Sequence, residues 1–368
     1  MLRRGLAEVG MEIPVTKAGR LPIPGRILIV RLGSLGDIIH AIPAAAALRR
    51  AFPQARIDWL VDIRHRALLD LVSPIDRRLA IDTGSMGSLA KAVVELRRSR
   101  YDVALDLQGL LKSAILARLS GARRVIGFPA GLLRERVAVV FYTETGGAAF
   151  STGPHIIQKN LSMLRTLGIE HPAIEFPLEI PKSDIVSVVR RRLGLGGEQP
   201  FAILNPGAAW PNKRWPAACF GEVAAALHER HGLRSTVLWG PGKEDQSEET
   251  IAKEIVSASR GAAELSPQTS IAELVALVRS AALMVSGDTG PLHVAAAAGT
   301  PLVGIYGPTS PERNGPWSAA DLTVSRFRQC QCHHLRRCRG ARWCLLDVSA
   351  GEVIDLVNRR LASVATHG

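Results

Sequence analysis

Aromatic side chains are scarce in this chain, at 5% of 368 residues against 47% hydrophobic overall. Nucleic-acid surfaces interleave aromatics with basic residues, and no RNA-binding signature occurs, so that class of partner is disfavoured. No apolar run approaches the roughly 18–20 residues that cross a bilayer. The first 25 residues are basic and broken by Pro14, Pro22 and Pro24, without the apolar centre of a signal peptide. They read as a loose leader, with Met11 as an alternative start, and a cytoplasmic protein is expected. A G-x-G-x-x-G is missing, which argues against NAD or FAD. No internal repeat or low-complexity stretch stands out.

What is present is positive charge: a net +13 at pH 7, weighted towards the first half. That suggests a polyanionic partner, whether nucleic acid, an acidic membrane surface or a phosphorylated substrate; solubility alone is the plainer account. Of the five cysteines, Cys219 stands alone in a helical segment and suits a core. Cys330, Cys332, Cys338 and Cys344 crowd one stretch with His333 and His334. Such a cluster reads as a zinc site, a disulfide or reduced packing thiols, and its Cys-x-Cys start is tighter than the usual zinc spacing.

The pattern along the chain is alternating strand and helix. Residues 26–31 form a buried-strand run, followed by the loop Leu32-Gly33-Ser34-Leu35-Gly36-Asp37 and a helix over about 38–51. Gly33 and Gly36 let that loop turn tightly and approach a ligand. Asp37 at the helix start is either an N-cap or a carboxylate aimed into a cleft. Further strands are expected at 56–61, 78–81, 103–107 and 123–128. Basic residues fall just after strands: Arg64 and Arg66, Lys112 behind Gln108, then Arg134 and Arg136. In a parallel sheet they converge on one edge; otherwise they are scattered, solvated arginines.

Residues 181–200 run from proline through a helical, charged stretch to a glycine-rich end and read as a linkage. The alternation then restarts at 201–204 and 235–239. Ser270-Ile271-Ala272-Glu273 is a capping box. An apolar run at 281–285 leads into Gly287-Asp288-Thr289-Gly290-Pro291-Leu292-His293 and a small-residue helix. This is a βαβ unit, whose turn lies at the carboxyl edge of the sheet where open α/β folds bind ligands. The turn suits a nucleotide diphosphate at a helix N-terminus, or is an ordinary βα turn capped by Asp288. A last helix, 350–364, is expected to cross back and brace the first domain. The architecture is thus α/β: a first domain at 26–180 and a second at 201–349, both doubly wound, facing across a cleft.

Five segments in order carry a resemblance: Arg31 to Asp37, Asp106 to Ser113, Lys213-Arg214-Trp215-Pro216, Gly287 to His293, and Tyr306-Gly307-Pro308-Thr309. Together they resemble glycosyltransferase family 9, the bacterial lipopolysaccharide heptosyltransferases, from about residue 26 through the last helix. The first half is most similar to heptosyltransferase I, while a cysteine-rich tail is more like heptosyltransferase II. The resemblance implies a GT-B fold with an acceptor-binding first domain and an ADP-heptose-binding second domain. It implies an inverting transfer to Kdo–lipid A without a metal ion or other cofactor, by a monomer touching the inner face of the inner membrane. No Asp-x-Asp, the usual metal-holding pair, is present. By position, Asp37 matches the proposed general base, and Lys213, Glu244, Asp288, Thr289, Gly290, His293 and Gly36 the donor site. Arg64, Arg66, Gln108, Lys112, Arg134 and Arg136 would meet the acceptor. Ala208-Ala209 stands where many relatives place a Ser or Thr, a departure that removes one hydroxyl from the donor phosphate. A nucleotide-sugar epimerase and a nonenzymatic polyanion-binding protein are the rival readings.

Overall fold

The computed structural model describes residues 23–146, 155–207, 210–240, 248–330, 332, 333, 335, 338 and 342–365. Most of the leader, Ala208-Ala209, Glu244 and His334 lie outside them. Twelve strands form among the described residues. They are β1 (Arg26–Val30), β2 (Arg56–Asp62), β3 (Arg77–Ile81), β4 (Val103–Asp106), β5 (Arg124–Gly127), β6 (Glu144–Thr145), β7 (Phe201–Asn205), β8 (Arg234–Val237), β9 (Ala263–Leu265), β10 (Leu283–Gly287), β11 (Leu302–Tyr306) and β12 (Leu322–Ser325). They build two six-stranded sheets, ordered β3-β2-β1-β4-β5-β6 and β12-β11-β10-β7-β8-β9. All the strand pairs are parallel. The second order repeats the first, so each lobe is doubly wound, as the alternation predicts. Each has one switch point where the chain reverses its winding: between β1 and β4, and between β7 and β10.

The strands are continuous apolar runs because both faces are covered. Ile27 and Ile29 of β1 and Phe201 and Ile203 of β7 face one cluster that contains buried residues of both lobes. Leu28 and Val30 face a separate cluster behind the first sheet, and Ala202 and Leu204 another behind the second. The two lobes therefore share a core. No helix of the described residues is long and apolar enough to cross a membrane.

Two expectations are corrected. The single helix over 38–51 is two, Leu35–Ile39 and Ile42–Ala51, with a break at His40. The helical stretch read within the linkage at 181–200 is Ile185–Arg192, whose Ile185 and Val189 are buried in the shared cluster. The last helix, Ala350–Ala365, does not brace the first lobe. Val353 and Val357 bury against the outer face of the second sheet, and Arg360 pairs with Asp321 at 3.0 Å.

At the seam, the helix Leu35–Ile39 packs on the helix Gly290–Ala298. A β-carbon added at Gly290 would lie 2.7 Å from Leu35, and one at Gly36 would run into the His293 ring. Both glycines are there so that the backbones can approach. Gly36→Ala is expected to lower stability by about 1–3 kcal/mol in urea unfolding, through overpacking. Gly196→Ala, where the added carbon meets nothing, is the control and should change little.

Candidate functional site

The two switch points confront each other across a cavity of about 800 Å³. Its first wall is the loop after β1 (Arg31, Gly33, Ser34, Asp37) and the turn after β4 (Gln108, Gly109). Its second is the loop after β7 (Trp210, Lys213) and the turn after β10 (Asp288, Thr289, Gly290). Topology alone brings these four segments together, although more than 250 residues separate the first from the last.

Asp37 belongs to the first wall. It is not the N-cap: Ser34 is, and Asp37 is the third residue of the helix, closing a capping box. Its Oδ2 accepts the Ser34 amide at 3.1 Å and hydroxyl at 3.0 Å. Its Oδ1 lies 2.7 Å from Arg31 Nη2. Burial raises the carboxyl pKa, but Arg31, His40 and the Ser34 donors outweigh it and hold it at about 2. Arg31 is fixed in turn, its guanidinium donating to the Leu107 carbonyl and its own carbonyl accepting from Trp59 Nε1 at 3.1 Å.

Asp288 belongs to the second wall and is the most heavily bonded carboxylate there. Lys213 Nζ donates to Oδ2 at 2.6 Å, as does Thr309 Oγ1 at 2.6 Å. Asn314 Nδ2 donates to Oδ1 at 2.9 Å, and His293 Nε2 at 3.2 Å. Because a carboxylate only accepts, that His293 nitrogen carries the proton. Burial raises the Asp288 pKa, yet His293 and Lys213 hold it well below the ordinary carboxylate range. Asp288 is therefore not a helix cap. Thr289 occupies that position, with its hydroxyl accepting from Asn205 Nδ2 at 2.7 Å. Lys213 lies 4.7 Å over the Trp210 ring, and its ammonium lines the cavity where an anion would sit. The free amides opening the helix Gly290–Ala298 point the same way.

Three imidazoles join the walls. His40 and His293 are 4.5 Å apart between ring centres, and His40 and His155 5.8 Å. His155 Nδ1 accepts the Ile157 amide and Nε2 donates to the Gly315 carbonyl at 3.1 Å. Burial first, then the His293, His155 and Arg31 charges, push the His40 pKa well down against the pull of Asp37. His155 is likewise lowered by burial and by its neighbours His293 and Arg313, although the Gly315 carbonyl opposes this.

Asp37, Gly36, Gln108, Arg134, Lys213, Asp288, Thr289, Gly290 and His293 thus line one cavity. Four of the expected acceptor contacts do not line it. Arg64 forks onto Asp62 at 2.7 Å, Arg66 reaches Asp70 at 3.8 Å on its own helix, and Lys112 donates to the Thr83 carbonyl at 3.1 Å. Arg136 starts the 3-10 helix Arg136–Phe141 outside the cavity. Arg31, His40, Lys159, Trp210, Arg313 and Asn314 line it without having been expected. Of these only Arg31 lay in a motif the sequence singled out.

Glu248 was also missed. Its carboxylate accepts the Gly240 amide at 3.0 Å and abuts Gly207, at the ends of β7 and β8. Cys219, Cys330, Cys332 and Cys344 are free thiols, with Cys330 and Cys332 Sγ 3.3 Å apart. Burial raises the thiol pKa of Cys330 and of Cys344. Among the described residues no group of three or more His, Cys, Asp or Glu is placed to hold a metal ion. Asn212 donates to Cys332 Sγ and to the Leu335 carbonyl, so this stretch packs beside Lys213 and brings His333 and Leu335 to the cavity.

Two outcomes follow from this geometry. Asp288→Ala strands the buried Lys213 charge and three further donors, and should cost about 3–5 kcal/mol in urea unfolding. The histidines set an acid sensitivity. His40 and His155 resist protonation in the fold but accept protons below about pH 6.5 when unfolded. Stability is therefore full above that value and falls as pH drops, by up to about 1.4 kcal/mol per unit for each such histidine. Thermal unfolding between pH 7.5 and 5 should show the loss, and His40→Asn should make it shallower.

Residues 89–343 match glycosyltransferase family 9 (heptosyltransferase). Lipopolysaccharide heptosyltransferase 1 of Pseudomonas aeruginosa is 29% identical over 323 residues, covering 83% of this chain and 85% of that protein. Lipopolysaccharide heptosyltransferase 2 of Escherichia coli is 25% identical over 352 residues, covering 91% and 98%. The structure of E. coli heptosyltransferase WaaC with ADP is similar in fold, with a TM-score of 0.71 at 22% identity, covering 91% of this chain and 99% of that one. The doubly wound lobes are those of a GT-B fold. Sequence match and architecture agree: the chain is a glycosyltransferase and belongs to glycosyltransferase family 9, the heptosyltransferase family.

Proposed function

We propose that the protein moves a heptose from ADP-heptose to the Kdo–lipid A inner core of lipopolysaccharide, inverting the anomeric centre without a metal ion. One observation carries this reading: Asp37 of one lobe and the Lys213–Asp288 pair of the other line the same cavity. The acceptor hydroxyl attacks the anomeric carbon as the bond to the diphosphate breaks, and the bonding electrons leave with the diphosphate. Positive charge develops on the ring and negative charge on the departing oxygens. Lys213 and the amides opening the helix Gly290–Ala298 meet the negative charge. Asp288, saturated with donors, orients Lys213 rather than taking a proton.

Asp37 takes the proton of the acceptor hydroxyl. A carboxyl held at about 2 by Arg31 and Ser34 is a weak base, so the proton moves late, once the forming bond has made the hydroxyl acidic. Gln108, Arg134, Lys159 and Arg313 supply polar and cationic contacts for the anionic acceptor. The lipid-borne acceptor brings the protein to the inner face of the inner membrane. Similarity to both heptosyltransferases 1 and 2 keeps a second acceptor in view on the same cleft.

Asp37→Asn should lower kcat by about 10²- to 10⁴-fold while calorimetry finds ADP bound as in the parent. Turnover near normal would remove Asp37 from the mechanism. Transfer assays with truncated lipid A acceptors separate the Kdo acceptor from the second one.

A further inference from the structure

Beside the cavity mouth, two short turns, Ala130–Leu132 and Arg136–Phe141, pack on each other and leave a small apolar ridge uncovered. Leu132, Val137 and Val140 are 48%, 56% and 69% exposed. In a 3-10 helix, side chains three apart eclipse one another, so Val137 and Val140 stand on one edge. Three large aliphatic side chains left in water within nine residues call for a covering surface.

The charges around the ridge say which surface. Arg134 and Arg136 are exposed, and neither makes an ion pair among the described residues. The one acid between them, Glu135, is turned back to accept the Leu111 amide at 2.7 Å. The ridge therefore presents aliphatic carbon flanked by guanidinium groups. Two copies docked face to face about a twofold axis would set these arginines against each other. Aliphatic side chains give no stacking platform for bases. An anionic bilayer satisfies both parts, with the aliphatic groups entering the headgroup boundary and the arginines meeting lipid phosphates.

We propose that the Leu132–Val137–Val140 ridge, with Arg134 and Arg136, docks this protein on the anionic surface of a lipid bilayer. Leu132, Leu133 and Arg134 also line the cavity, so docking here sets the cleft mouth at the headgroup level. This rests on the reading of a lipid-borne acceptor for its purpose, but not for its test.

The full-length protein is sedimented with extruded vesicles of phosphatidylethanolamine and phosphatidylglycerol, and with vesicles of phosphatidylcholine alone. Binding is expected to the anionic vesicles only. V137S/V140S should weaken it about tenfold or more with an unchanged far-UV spectrum and melting temperature. Val364→Ser, an exposed position on the last helix of the other lobe, should bind as the parent does. The proposal is overturned if the parent ignores anionic vesicles, or if a folded V137S/V140S binds them as the parent does. It is equally overturned if the double substitution turns a dimer into a monomer without weakening vesicle binding, which would make the ridge a self-association face. No sugar substrate enters the measurement, so a failure here leaves the transferase reading standing. Failure of heptosyl transfer would likewise leave the docking surface standing.

Discussion

The structure turns on one buried carboxylate. Asp288 accepts from Lys213 on the loop after β7, from Thr309 and Asn314 beyond β11, and from His293 in the first turn of the helix that follows it. Through His293 it reaches the other lobe, because that ring lies against Gly36 and beside His40. Such a group is costly to bury, and its partners recover the cost only when all are in place. The second sheet's turns and the first lobe's leading helix are therefore registered against one another by a set of bonds that fails together. Fixed charge in a partly dry cleft is also what the proposed transfer needs at its leaving group, since the protein does not have to reorganise as the bond breaks.

On the facing wall the logic is similar but looser. Asp37 keeps contact with the cavity, while Arg31 and Ser34 fix its orientation. These bonds hold it ionised and aimed at the expense of basicity. A group so arranged suits a reaction in which the hydroxyl proton becomes acidic only as the new glycosidic bond forms. It does not suit abstraction of a proton from a free alcohol. The two carboxylates divide the work by environment: one is saturated and structural, the other held but still open.

The parts of this site legible in the sequence were those coded locally. Glycines that must admit a neighbouring backbone, the capping box at Ser270, Pro291 in the first helical turn and the apolar runs before each loop all act within a few residues of themselves. They marked the two lobes and most of the two walls. Spacing left Asp37 between a helix cap and a carboxylate facing a cleft, because nothing local says that Ser34, three residues earlier, takes the cap. Arg31 could be read as part of a motif but not as the partner of Asp37. His40, His155, Lys159 and Arg313 reach the cavity through tertiary packing, and no local pattern marks them. Arginines after strands lie at the correct edge, but spacing does not say whether a side chain turns to the cleft or, like Arg64, folds onto a neighbouring acid. The short strands β6, β9 and β12 carry too few residues to alternate visibly. The amphipathic last helix announced a buried face without saying which sheet it would cover.

The shared core has a consequence for the catalytic cycle. A clamshell that swung wide would tear a single oily layer in two, at roughly 25 cal/mol for every square ångström wetted. A ligand filling the cavity of about 800 Å³ does not easily repay a large rupture of that kind. Traffic in and out of this enzyme should therefore pass along the open flank of the groove, with loops yielding locally while the halves stay married.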